Sequence, residues 1–259
     1  MALASTALAV RDGPRAPGSS LEGMSTPSWI DAPLLGFDTE TTGTNVERDR
    51  IVTVALVHSV GPGRENETVA TWLIDPGVEI PEPAQRVHGI STEHAREHGM
   101  QPAEALDEVA GMIVEALGKD VPLVAFNIGF DLAILENELT RLGLPTLVQR
   151  LGHDIAPVID GLVIDRGVDR YRKGKRTLTD VLAHYGLEQD GRLHTADVDV
   201  SATLDVVRAI AAKYPQVASS PLAELHREQV GWHRRWAEGM NEWLTKKGRT
   251  PDVNTAWPL

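Results

Sequence analysis

The sequence predicts an α/β layered domain built on a mixed sheet. Two observations carry this. Three short apolar runs lie close together near the start of the chain, with turn residues between them, and over the middle of the chain helical periodicities alternate with further β-rich runs. Neighbouring strands joined by tight turns pair antiparallel, whereas strands separated by helices pair parallel.

Residues 34–38 read as a short buried strand, 51–60 as a second and 68–74 as a third, with Gly61-Pro62-Gly63 turning the chain between the last two. Pro102 opens a helix through Leu117, in which Leu106, Val109, Ala110, Ile113 and Leu117 recur at helical spacing. A β-rich run follows at 121–126, then an amphipathic helix at 131–142 that Gly143 and Pro145 stop. Residues 158–164 read as another strand. Residues 177–185 form a short helix with Gly186 just past its end, and 196–212 a longer one.

The first 28 residues are small, Gly, Pro and Ser without periodicity, so they read as a disordered leader, with Met24 a second candidate start. Residues 29–212 are the expected folded domain and 213–259 a helical tail. In that tail 220–247 is a long helix whose Leu225, Trp232, Trp236, Met240 and Trp243 lie roughly along one stripe. Such a stripe packs on the protein's own core or docks a partner or a second protomer.

The chain has no cysteine, which excludes disulfides, thiolate zinc sites and a cysteine nucleophile and fits a reducing cytoplasm. No apolar run reaches the roughly 18 to 20 residues needed to span a bilayer, and the alanine-rich start lacks the basic flank of a signal peptide. A net charge of −12 argues against whole-surface attraction to nucleic acid, so any such binding is local and metal-assisted. One segment runs against the average: Arg166, Arg170, Arg172, Lys173, Lys175 and Arg176 lie within eleven residues. It is either a solvated loop or a phosphate-contacting one.

Three motifs carry the candidate chemistry: Asp38 and Glu40 in Phe37-Asp38-Thr39-Glu40-Thr41-Thr42-Gly43, Asp131 in Asn127-Ile128-Gly129-Phe130-Asp131, and His194 with Asp199 in His194-Thr195-Ala196-Asp197-Val198-Asp199. Residues two apart on a strand share a face, so Asp38 and Glu40 point the same way and repel unless a cation bridges them. Hard oxygen ligands of this kind suit Mg²⁺ or Mn²⁺. Asp131, at a helix start, serves either the site or the free amides of its own helix. Asp197 and Asp199 lie about 200° apart around their helix, so only one of them faces the site. His194 titrates near neutrality and suits a general base.

In order and separation these motifs resemble those of the DEDDh branch of the DnaQ-like 3′–5′ exonucleases, a family that includes proofreading subunits of bacterial replicative polymerases and stand-alone RNA-trimming enzymes. The resemblance covers residues 34–212 and includes Val87-His88-Gly89-Ile90-Ser91. It implies an RNase H-like fold and selects Asp199 over Asp197. It further implies two divalent cations, with Asp38, Glu40 and Asp199 serving the first and Asp38 and Asp131 the second. His194 would take a proton from water, and nucleoside 5′-monophosphates would leave single-stranded DNA or RNA 3′ ends. Thr39, His88 and Phe130 would meet the terminal nucleotide. The expected function is 3′–5′ exonuclease, in DNA proofreading or repair, with a DNA polymerase as a candidate partner; the alternatives are an RNA-trimming exoribonuclease, homodimeric as such relatives can be, and a catalytically lapsed module that binds nucleic acid or a polymerase. No membrane partner is expected.

Overall fold

The structure, a computed structural model, describes residues 28–187 and 195–259. The expected leader lies outside them except for Ser28, as does His194. Strands β1 (Pro33–Thr41), β2 (Ile51–Val60) and β3 (Glu67–Leu73) form the antiparallel meander. Strand β4 (Leu123–Ala125) then pairs parallel with β1, and β5 (Val158–Asp160) parallel with β4, giving the order β3-β2-β1-β4-β5. This is the mixed sheet the sequence predicts.

Between β3 and β4 run three helices, α1 (Glu82–His88), α2 (Thr92–His98) and α3 (Pro102–Leu117). Helices α4 (Ile128–Arg141) and α5 (Leu147–Leu151) connect β4 to β5. After β5 come α6 (Gly161–Val168), α7 (Leu178–His184), α8 (Ala196–Lys213), α9 (Pro215–Ser219) and α10 (Leu222–Lys246). None of the helices among the described residues is long and apolar enough to cross a membrane.

Alternation along β1 assigns the layers. Leu35 and Phe37 join Leu106, Val109 and Ile113 of α3 and Leu132 and Leu135 of α4 on one face, while Leu34 joins Val200, Leu204 and Val207 of α8 on the other. Each such fully buried aliphatic side chain contributes about 1.5–3 kcal/mol, so the two faces hold the sheet between helices. Gly36 sets how closely α8 approaches: a Cβ there would lie 2.2 Å from Val200 Cγ1. Only glycine admits that contact without displacing the helix.

The run at 158–164 is corrected. Its strand ends at Asp160, whose carboxylate accepts the Leu162 and Val163 amides and so caps α6. The whole segment is buried, so its apolar residues show no polar alternation by which strand and helix differ. Helix α4 also begins earlier than expected, at Ile128, because Asn127 takes a left-handed conformation (φ 71°) and turns the chain directly out of β4.

Helix α10 packs on α6 and β5. Strand β5 is at the edge of the sheet, and side chains of α10 occupy its outer hydrogen-bonding groups. The buried Gln229 accepts the Asp160 amide at 2.7 Å and donates to the Val158 carbonyl at 2.9 Å, while His226 Nδ1 accepts the Val158 amide at 3.2 Å. One carboxamide thus supplies the donor and acceptor a sixth strand would have supplied, which closes an otherwise open edge.

Candidate active site

Even-numbered residues of β1 face α8, and past Gly36 the next two are Asp38 and Glu40. Val200 fills the space above Gly36, so its neighbour Asp199 is carried to the same place. Oxygens of Asp38, Glu40 and Asp199 lie within 4.8 Å of one another. Asp197 is outside that cluster and lines an adjoining cavity of about 340 Å³ together with Glu40 and His88.

Asp131 reaches β1 from the opposite layer. Beyond Gly36, β1 has no β4 partner, and the free Thr39 amide donates to Asp131 Oδ1 at 3.0 Å while the Thr39 hydroxyl donates to the same oxygen at 2.7 Å. The carboxylate is buried against the strand, and its bonds to Thr39 tie the start of α4 to β1. The Thr39 amide, expected near a nucleotide, is therefore engaged by Asp131.

The start of α4 is held by Asp160, a residue the motifs did not single out. Its carboxylate accepts the Asn127 amide at 2.9 Å and the Ile128 amide at 3.1 Å, besides capping α6. One buried acid therefore ties two helix starts together, one of them bearing Asp131. The Asp160-Gly161 pair in the middle of an apolar run was the available signal, since both residues disfavour strand interiors.

Burial and mutual repulsion dominate the electrostatics. Asp38 is raised well above the usual carboxylate range, by desolvation first and then by Asp131, Glu40 and Asp199. Glu40 is raised to about 7 by desolvation and then by Asp199 and Asp131. Asp131 is also raised by desolvation, against the two bonds from Thr39 that favour its ionised form. Among the described residues no cationic side chain pairs with Asp38, Glu40 or Asp131. Carboxylates so clustered and so costly to ionise fit a divalent cation, the partner that would neutralise them.

His88 sits buried at the end of α1. Its Nδ1 accepts the Ile90 amide at 3.1 Å, which leaves Nε2 as the protonated nitrogen, buried near the Thr41 backbone. Desolvation lowers its pKa, keeping the ring neutral. Phe130 is half-buried and packs against the α3–α4 side of the core. His194 lies outside the described residues, immediately before Thr195, the residue preceding α8.

The RNase_T exonuclease family model matches residues 35–207. A DNA polymerase III PolC-type protein of Staphylococcus epidermidis is 29% identical over 175 residues, 67% of this chain and 11% of the polymerase. An uncharacterised exonuclease of Escherichia phage 186 is 26% identical over 187 residues, 71% of this chain and 90% of the phage protein. Among solved structures, E. coli exonuclease I in complex with a dT13 oligonucleotide superimposes with a TM-score of 0.58 at 19% identity, over 72% of this chain and 42% of that one. An exonuclease I from Methylocaldum szegediense gives 0.57 at 22%, over 82% and 45%. The chain thus spans a small part of the PolC-type relative and less than half of the exonuclease I chains, and the structural likeness is one of fold. Because the family match contains all four clustered carboxylates, the chain belongs to the exonuclease family.

Proposed function

We propose that the chain is a metal-dependent 3′–5′ exonuclease that removes nucleoside 5′-monophosphates from single-stranded DNA ends. The observation that carries the proposal is the closure of Asp38, Glu40 and Asp199 to within 4.8 Å, with Asp131 fixed beside them through Thr39. Asp38, Glu40 and Asp199 would hold one divalent cation, and Asp38 with Asp131 a second, Mg²⁺ and Mn²⁺ both suiting oxygen-only ligands. When bound, such ions activate water and stabilise the attacking and leaving oxygens of a phosphodiester.

The protein's own part is positioning and proton transfer. His194 takes the proton of the attacking water, and the Nε2–H of His88 donates to the terminal nucleotide beside Glu40. Phe130 offers an aromatic edge for the last base. DNA is chosen because exonuclease I, whose fold this chain shares, is known in complex with a dT13 oligonucleotide and because a DNA polymerase of PolC type is a relative. A DNA polymerase is added to the proposed partners on the same ground, and the cytoplasm is the proposed compartment from the absence of cysteine.

The test uses 5′-labelled single-stranded DNA and RNA oligomers with Mg²⁺, Mn²⁺ or chelator, beside Asp38→Ala. A metal-dependent ladder that shortens from the 3′ end, faster on DNA and lost in the variant, is expected. Cleavage that survives chelator or the substitution would reject the mechanism.

A further inference from the structure

Away from the carboxylates, α6, the segment after it and α10 enclose a cleft of about 680 Å³, within the roughly 300–1,000 Å³ of ordinary ligand sites. Arg166, Arg170, Arg172 and Arg176 line one side, Arg235 and Trp236 the other, and no carboxylate is among the lining residues. In a chain of net charge −12 this is a strong local reversal of sign.

A solvated basic loop would spread all its arginines into water or pair each with an acid of its own. Arg166, Arg172 and Arg176 do neither. Arg166 is half-buried with its guanidinium 3.6 Å from the centre of the Trp236 ring, and it pairs with no carboxylate among the described residues. Desolvation pulls it down to about 10, which leaves it charged at neutral pH. Arg172 and Arg176 converge on one fully buried acid, Asp165, so that a single negative charge serves two positive ones. Arg172 Nε is buried with no hydrogen-bond partner among the described residues. Arg170 and Arg235 are exposed and form no ion pair there. At the base of the cleft α6 and α10 are pressed together at Gly167, where a Cβ would lie 2.2 Å from Trp232 Cδ2.

Three guanidinium groups held in place at Arg166, Arg172 and Arg176, with the exposed Arg170 and Arg235 beside them, outnumber the buried acids Asp165 and Asp160 and leave a surplus that an anion would satisfy. Guanidinium forks match phosphate oxygens, and an arginine stacked on tryptophan presents a flat cationic surface to a base. Asp160 holds the start of the Asp131 helix and caps α6, whose far end carries Arg166 and Gly167 of the cleft, so one short helix joins the cleft to the carboxylate site. We propose that this cleft binds the phosphate backbone of the single strand upstream of its 3′ end, a role that rests on the exonuclease reading for the direction of the strand.

The test is fluorescence anisotropy of the full chain with labelled oligothymidylates of 3 to 12 nucleotides, in chelator and over a series of salt concentrations, for wild type and for Arg170→Glu/Arg235→Glu. Circular dichroism melting confirms that the variant folds. Wild-type affinity should rise with length. In the variant the 12-mer should bind at least about tenfold more weakly, and its log Kd against log salt should flatten by about 0.7 for each phosphate contact removed. A variant that binds the 12-mer within twofold of wild type, with an unchanged salt slope, overturns the proposal. Thymidine 5′-monophosphate competing as well as the 12-mer would also overturn it, in favour of a free nucleotide. The binding result does not depend on turnover: absence of any wild-type nuclease activity would sink the exonuclease reading and leave the anisotropy to judge the cleft.

Discussion

Asp38 is the residue on which the site turns, since every charged group that perturbs it is another carboxylate. Above the raised carboxylate range, where the cluster is ionised, replacing it by asparagine removes one buried charge and relieves three repulsions. Asp38→Asn should therefore stabilise the metal-free protein, by about 1–2 kcal/mol, while lowering exonuclease turnover by at least about a thousandfold, a trade expected where function requires clustered charge. Denaturant unfolding in chelator with parallel assays reads both, and a less stable variant would contradict the account of the electrostatics. Gly36 offers a second check two residues away. Gly36→Ala forces its Cβ onto Val200 Cγ1 and should cost about 1–3 kcal/mol, reducing turnover because Asp199 rides on the displaced helix. Adding Val200→Ala removes the clashing methyl and should recover much of both losses; simple additivity of the two substitutions would refute the close approach.

Among the elements, β5 depends most on a partner far away in sequence. Gln229→Ala would strand the Asp160 amide and the Val158 carbonyl inside the protein, each at about 1–3 kcal/mol, so a loss of about 2–4 kcal/mol is expected by denaturant unfolding. A loss below about 0.5 kcal/mol would mean that α10 merely rests on the sheet. The same element shows where the sequence stops being informative. Strands β1 to β3 were legible as short apolar runs set off by turn residues, and the two-residue period of a strand put Asp38 and Glu40 on one face. Residues 158–168 are buried almost throughout, so no periodicity marked where β5 gives way to α6. Helices α1 and α2, seven residues each, are too short for a helical repeat to stand out, although Ser91 caps α2 by accepting the His94 amide. Helix geometry reduced Asp197 and Asp199 to a choice of one, and family resemblance chose Asp199, which lies in the cluster. That Asp160 would anchor the helix of Asp131, or that Gln229 would complete a strand 70 residues earlier, depends on long-range packing that local pattern does not encode.

At the scale of the whole molecule, the clustered carboxylates couple folding to pH. Glu40 is raised from 4.5 to about 7, and Asp38 and Asp131 are raised with it, so over this window the folded metal-free protein binds more protons than the unfolded chain does. Stability must then fall as pH rises, because its slope with pH follows the protons bound in the unfolded state minus those bound in the folded state. The stabilisation is fully present below the unfolded carboxylate range and lost as pH passes about 7. A divalent cation binds the deprotonated cluster, and its stabilisation of the folded state should grow over the same window. Melting scans at pH 5, 6.5 and 8, with chelator and with Mn²⁺, read both effects. In chelator the melting temperature should drop by several degrees between pH 5 and 8, with Mn²⁺ restoring most of the drop at pH 8 and adding little at pH 5. Asp38→Asn should flatten the chelator profile, since it removes one raised carboxylate and lowers the repulsion on its neighbours. A wild-type profile in chelator that is flat or rises with pH would mean that these acids do not share one desolvated site, and the case for a cation held between Asp38, Glu40 and Asp199 would fall with it.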